Sequence, residues 1–121
     1  MDKEELLRSK IILIVEDEEI MREAMASWVS KMSHEVHTAN NGKAGLEMFH
    51  EVKPDVVITD IEMPVMNGIK MIDAIKDESP LTQVVIVTAF SDEAHNAPRA
   101  DAVLVKPLLK NDLKDTLLGL M

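Results

Sequence analysis

The stretch Val56-Val57-Ile58-Thr59-Asp60-Ile61-Glu62-Met63-Pro64 decides how the rest of the 121-residue chain is read. Val-Val-Ile is a short apolar run without alternation, the pattern of a strand buried on both faces of a parallel sheet. The strand, expected over 55–60, ends on a carboxylate. In open α/β sheets, ligands and chemistry gather just beyond the carboxyl ends of the strands. A charge at that edge costs desolvation unless something there requires it. Asp60 is therefore the candidate reactive centre, against the blander reading of a cap or turn residue.

Runs of the same kind flank this stretch. Ile11-Ile12-Leu13-Ile14-Val15 stops at Glu16-Asp17-Glu18-Glu19, and Val84-Val85-Ile86-Val87 stops at Thr88. Ala102-Val103-Leu104-Val105, expected to be a further buried strand, stops at Lys106-Pro107, and Glu35–Ala39 is a short, weakly alternating strand. Helical faces lie between them. The first carries Ile20, Met21, Ala24, Met25, Trp28, Val29 and Met32. The second carries Ala44, Gly45, Met48, Phe49 and Val52 and ends at Lys53-Pro54. Met71, Ile72 and Ile75 mark a helix from about Asn67 to Glu78, and Leu113, Leu117, Leu118 and Leu120 mark a last one over about 110–119. This alternation predicts an α/β fold, a doubly wound five-stranded parallel sheet with helices on both faces and right-handed crossovers. Residues 1–9 read as a lead segment, a frayed helical turn at most, and 10–121 as one domain.

Composition sets bounds. The chain is 46% apolar but only 2% aromatic, so the core must be aliphatic, with nine Met as irregular filler. With no Cys, disulfides and thiolate metal sites are excluded, which fits a reducing cytoplasm. No apolar run approaches the roughly 18 residues that span a bilayer, so no membrane insertion is expected. A net charge of −9 argues against direct contact with nucleic-acid phosphates and suits cations and basic partner surfaces.

The polar strand ends carry the chemistry. Glu16 and Asp17, Asp60, Thr88 and Lys106 each follow or close a strand, and in a parallel sheet those ends share one edge. Clustered carboxylates cannot all stay ionised without a counter-charge. All-oxygen donors without Cys or a nearby His favour Mg²⁺. A carboxylate can also act as a nucleophile and form an aspartyl-phosphate. Phosphoryl transfer then needs chiefly positioning and charge neutralisation, which an ammonium, a hydroxyl and a divalent cation supply. Taken singly, Glu16 and Asp17 would be helix-start charges, Thr88 core filler and Lys106 a surface residue. Glu18 and Glu19 are assigned to solvent and the helix dipole. His34, His37, His50 and His95 have no metal spacing and are read as structural or exposed.

Together these residues resemble a known family. Glu16-Asp17, Asp60 followed by Met63-Pro64 and Asn67-Gly68, Thr88-Ala89, and Lys106-Pro107 resemble the bacterial two-component response-regulator receiver domain over about residues 10–120. The resemblance implies a flavodoxin-like (βα)5 three-layer sandwich like that of the chemotaxis regulators. It implies that Asp60 is the phosphoacceptor of a cytoplasmic phosphorelay, that Asp17 binds Mg²⁺ directly and Glu16 directly or through water, and that Glu62 lends the metal its backbone carbonyl. Thr88 and Lys106 would hold phosphoryl oxygens, and the Lys106-Pro107 peptide would be cis. A sensor histidine kinase or phosphotransfer protein would be the donor and an output domain or protein the recipient. No direct nucleic-acid binding and no turnover of a separate substrate are implied. The side chains at Glu62 and Phe90 would bear on aspartyl-phosphate lifetime.

Two features depart from the family pattern. Val103 stands three positions before Lys106, where members often carry a Tyr or Phe that responds to the Thr. The connection from Thr88 to Lys106 takes 18 positions, about one helical turn (roughly 3.6 residues) fewer than the family commonly uses. Ser91 can cap a helix there, but Pro98 disfavours helix at Ala97, so the fourth helix of the repeat is expected to be short or irregular and the output face remodelled. Two alternatives attach to the same residues. One is a receiver-like interaction module that works without phosphorylation. The other is a Mg²⁺-dependent phosphatase, disfavoured because its usual second Asp would be Glu62 here. Both a stand-alone receiver and the receiver of a longer protein fit these residues.

Overall fold

The computed structural model describes residues 1–89 and 97–121. Its elements are α1 (Lys3–Arg8), β1 (Ile11–Val15), α2 (Glu19–Ser30), β2 (Glu35–Ala39), α3 (Gly42–Val52), β3 (Val56–Thr59), α4 (Gly68–Glu78), β4 (Gln83–Thr88), β5 (Ala102–Val105) and α5 (Lys110–Gly119). The five strands are all parallel, in the order β2-β1-β3-β4-β5. The predicted fold class is therefore what the chain adopts.

Strand period 2 sorts the apolar runs into two cores. Ile12, Ile14, Val56, Ile58, Val85 and Val87 face α1, α2 and α5 through Leu7, Met25, Val29, Leu113 and Leu117. Leu13, Val15, Val57, Val84 and Ile86 face α3 and α4 through Phe49, Met71, Ile72 and Ile75. The central strands are buried on both faces, which is why they read as unbroken apolar runs. Local chemistry sets the helix ends. Asn41 Oδ1 accepts the Ala44 N–H and Asn67 Oδ1 accepts the Lys70 N–H, each an N-cap. Lys53 ends α3 in the left-handed region (φ 49°) just before Pro54.

Three expectations are corrected. The lead segment is a capped helix whose Leu7 is 2% exposed within the first core, since one face of even a six-residue helix can dock on α5. β5 is an edge strand rather than a strand buried on both faces, with Val103 at 42% and Val105 at 49% exposure, because among the described residues no strand pairs beyond it. Ile20 is 85% exposed and leaves the apolar face of α2. The short helix expected from Ser91, with Phe90 and His95, falls outside the described residues. Of that stretch, Ala97 is buried in the second core, and a turn follows in which the Ala100 N–H bonds the Ala97 carbonyl at 3.2 Å.

Candidate functional site

The strand order reverses between β1 and β3, so the crevice beyond their carboxyl ends is the topological switch point of the sheet. Glu16 and Asp17 follow β1, and Asp60 follows β3. The Asp60 N–H donates to the Val15 carbonyl at 3.2 Å and the Glu16 N–H to the Ala39 carbonyl at 3.0 Å, extending the ladders past the strand ends. One carboxylate oxygen from each of Glu16, Asp17 and Asp60 lies within 4.8 Å of the others. The open side is a cleft of about 230 Å³ lined by Asp17, Glu18, Asp60, Glu62, Thr88, Ala89 and Lys106.

Lys106 is the cation of this cleft. Its backbone N–H bonds the Thr88 carbonyl at 2.7 Å, which aligns the end of β5 with that of β4. The Lys106-Pro107 peptide is cis, as expected. The Lys106 Nζ sits 3.0 Å from Asp60 Oδ2 and 2.9 Å from Glu16 Oε1. The Glu16 contact is electrostatic, since Glu16 Oε1 is buried without a hydrogen bond of good geometry among the described residues. The other Glu16 oxygen accepts the Glu18 N–H at 3.2 Å. Asp60 Oδ1 accepts the Ile61 N–H at 2.6 Å.

Burial sets the charge states. Burial pushes the Glu16 carboxyl above its ordinary range, and Lys106 and the Glu18 N–H only partly offset that. Burial acts on Lys106 in the opposite sense, lowering its proton affinity. Its contacts with Glu16 and Asp60 outweigh burial and hold its pKa above the usual lysine value. Lys106 is thus a permanent positive charge between two carboxylates.

The loop after Asp60 is shaped by close approaches. The Gly68 N–H bonds the Ile61 carbonyl at 2.7 Å, and a Cβ on Gly68 would lie 2.2 Å from the Asp60 carbonyl oxygen. Only glycine lets α4 begin there. The Met66 N–H bonds the Pro64 carbonyl at 2.8 Å around Val65 at φ 71°, a γ-turn that a β-branched residue adopts at a cost. Of the residues singled out from sequence, Asp17, Asp60, Glu62, Thr88 and Lys106 line this cleft, and Glu16 is buried beside it against Lys106. Glu18, assigned to solvent, also lines it, with its Oε1 3.8 Å from Lys106. Sequence reasoning passed over Arg22, whose Nη1 donates to the carbonyls of Glu16 at 2.9 Å and Asp17 at 3.5 Å. The available signal was a base in the first turns of a helix, where the dipole opposes it. A larger cavity, about 600 Å³, opens at the other end of the sheet between Lys10, Phe49, His50 and Gln83, and gathers no comparable cluster.

The family model of the response regulator receiver domain matches residues 12–118. The chain belongs to the response-regulator receiver family. This receiver is 37% identical over 86 residues to the chemotaxis protein CheY of Thermotoga maritima, covering 70% of this chain and 72% of that protein. Regulator of RpoS from Escherichia coli is 36% identical over 106 residues, 84% of this chain but 32% of that protein. Regulatory protein AtoC of Escherichia coli is 38% identical over 81 residues, 67% of this chain and 18% of that protein. The receiver thus spans a third or less of the length of the latter two relatives. Among solved structures, the response regulator TrrA of Thermotoga maritima, in complex with Mg²⁺-BeF, superposes with a TM-score of 0.85 at 30% identity, over 93% of this chain and 99% of that one. Receiver domains are signalling modules that work with histidine kinases and output domains and bind Mg²⁺ at an acidic pocket. No helix among the described residues is long and apolar enough to cross a membrane.

Proposed function

We propose that this receiver is the phosphoacceptor switch of a cytoplasmic two-component phosphorelay. It takes a phosphoryl group onto Asp60 from a sensor histidine kinase or a phosphotransfer protein. One observation carries the reading: the carboxylates of Glu16, Asp17 and Asp60 lie within 4.8 Å of one another, with the Lys106 ammonium 3.0 Å from Asp60.

The residues fit Mg²⁺. The donors are all oxygen, the carboxylates carry more negative charge than Lys106 offsets, and Glu16 Oε1 is buried with only an ion-pair contact to Lys106 among the described residues. Asp17 and Asp60 would hold the ion, with Glu16 directly or through water and the Glu62 carbonyl as a further ligand. Bound there, Mg²⁺ supplies the positive charge that phosphoryl oxygens need as the group transfers.

The chain's own residues do the rest. A carboxylate oxygen of Asp60 forms the new O–P bond as the P–N bond of the donor phosphohistidine breaks. The imidazole leaves with the electron pair and takes a proton from water. The Ile61 N–H holds the other Asp60 oxygen and so orients the nucleophile. Lys106 leaves its contact with Asp60 to meet the incoming phosphoryl oxygens, and Thr88 donates its hydroxyl to another. The domain turns over no separate substrate, and the altered surface recruits or releases an output.

Incubation with acetyl phosphate and Mg²⁺ tests this. Wild type should gain one phosphoryl group by intact-mass measurement, and Asp60→Asn should gain none. Equal modification of both, or none of wild type, overturns the reading.

A further inference from the structure

Arg22 lies on α2, behind the acidic loop rather than in the cleft. Its position is unfavourable by local rules, because a cation near a helix N-terminus opposes the dipole. The α2 N-cap, Glu18, makes no side-chain capping hydrogen bond, so the loop is not held from the front in the usual way. Arg22 holds it from behind, through Nη1 to the carbonyl oxygens of Glu16 at 2.9 Å and Asp17 at 3.5 Å. Its backbone N–H, bonded to the Glu18 carbonyl at 2.9 Å, ties the same residue into the first turn of α2. Among the described residues Arg22 makes no ion pair with a carboxylate, whereas Lys106 pairs with Glu16 and Asp60. Arg22 thus takes up no carboxylate oxygen of the cluster, whose Glu16 and Asp60 oxygens are held by Lys106 and by the Glu18 and Ile61 N–H groups.

We infer that Arg22 is a positioning residue for the metal site: it holds the backbone of the two acidic residues so that their side chains converge. Its charge also relieves their mutual repulsion without taking up a ligand oxygen. The inference rests on the Mg²⁺ reading given above. Both contacts come from Nη1, whose two N–H groups lie fixed in the rigid guanidinium plane and can each meet one of the two neighbouring carbonyls. A lysine keeps the charge but not that fixed plane. Outer groups that orient metal ligands commonly contribute 10–100-fold in affinity.

The test is Mg²⁺ titration by calorimetry on wild type, Arg22→Ala and Arg22→Lys at constant ionic strength. It is paired with amide hydrogen exchange of residues 16–19 and thermal unfolding, both without Mg²⁺. Arg22→Ala should bind Mg²⁺ about 10-fold more weakly and show faster exchange in the loop, with an unfolding midpoint close to wild type. Arg22→Lys should fall between the two in affinity. Wild-type binding with Arg22→Ala within twofold of it overturns the inference and leaves the metal site standing. So does a loss of affinity that tracks an equal loss of apo stability in both variants. If wild type binds no Mg²⁺, the metal reading fails and the inference fails with it.

Discussion

Lys76 Nζ lies 2.8 Å from Asp101 Oδ2, and that oxygen also accepts the Val84 N–H at 2.7 Å. One carboxylate just before β5 therefore clamps α4 and the start of β4. Arg99 adds a second tie to α4 through Asp77 at 2.8 Å. The Lys76 side chain is buried, while that of Asp101 is about one-third exposed. Asp101→Ala would strand the Val84 amide and leave the Lys76 ammonium with only the Pro80 carbonyl at 3.4 Å, at a cost of about 2–4 kcal/mol. Lys76→Met removes the charge and keeps the apolar stem, so it should cost no more than about 1 kcal/mol. Urea unfolding of the two variants checks the order. A Lys76→Met loss as large as that of Asp101→Ala would mean that the pair itself, rather than the stranded charge, carries the effect.

Glu16 gives the site a pH signature. Burial raises its pKa above the ordinary 4.5, so the folded apo protein resists ionising it. A group raised in this way contributes stability below its unfolded pKa and loses it as pH rises through the folded value. The Glu16 contribution to apo stability should therefore fall from pH 4.5 upward through its titration. Glu16→Gln should flatten that segment and raise apo stability at pH 7 by on the order of 1 kcal/mol, while weakening Mg²⁺ binding. Chemical denaturation across pH, without metal, reads the first effect, and Mg²⁺ titration reads the second. Unchanged pH dependence in Glu16→Gln would assign the signature elsewhere.

Such a trade between stability and function explains which parts were legible in the sequence. The four polar strand ends stood out because acids, a hydroxyl and an ammonium break apolar runs that would otherwise simply be core. The sheet was equally readable, since β1, β3 and β4 are buried on both faces and leave continuous Val/Ile/Leu runs. β5 was misjudged because Ala-Val-Leu-Val looks the same whether or not another strand lies beyond it. Lys76 and Asp101 stand 25 residues apart and signal nothing until the fold joins them. Arg22 acts on backbone carbonyls, which no residue pattern records.

Two glycines should respond oppositely to alanine. At Gly68 the new Cβ would sit 2.2 Å from the Asp60 carbonyl oxygen, so α4 or the loop after Asp60 must shift. Gly68→Ala should cost about 1–3 kcal/mol by overpacking and weaken Mg²⁺ binding as well. At Gly119, the last residue of α5, nothing lies within 4 Å and φ is not positive. Gly119→Ala should stabilise by about 0.4–1 kcal/mol, chiefly by restricting the unfolded chain. Thermal and urea unfolding of both variants, with Mg²⁺ titration of Gly68→Ala, give the comparison. A Gly68→Ala protein of wild-type stability and affinity would refute the close approach.

The lead helix provides the last test, because a mostly charged segment gave little reason to expect a structural role. Asp2 Oδ1 caps α1 through the Glu5 N–H at 2.8 Å, and the Lys10 N–H bonds the Leu7 carbonyl at 3.0 Å as β1 begins. An isolated helix of six residues is not stable in water, so packing must hold this one in place. Leu7 supplies that packing among residues of α2 and α5 in the first core. The exposed pair of Lys114 and Glu4, 3.7 Å apart, adds little. Leu7→Ala should therefore cost about 2–4 kcal/mol, and Glu4→Ala no more than about 0.5 kcal/mol. If α1 merely frays against the domain, the two variants will unfold together with wild type in urea. If it is part of the core, Leu7→Ala alone will lose stability, while its Mg²⁺ affinity stays at the wild-type value because the helix lies away from the acidic cleft.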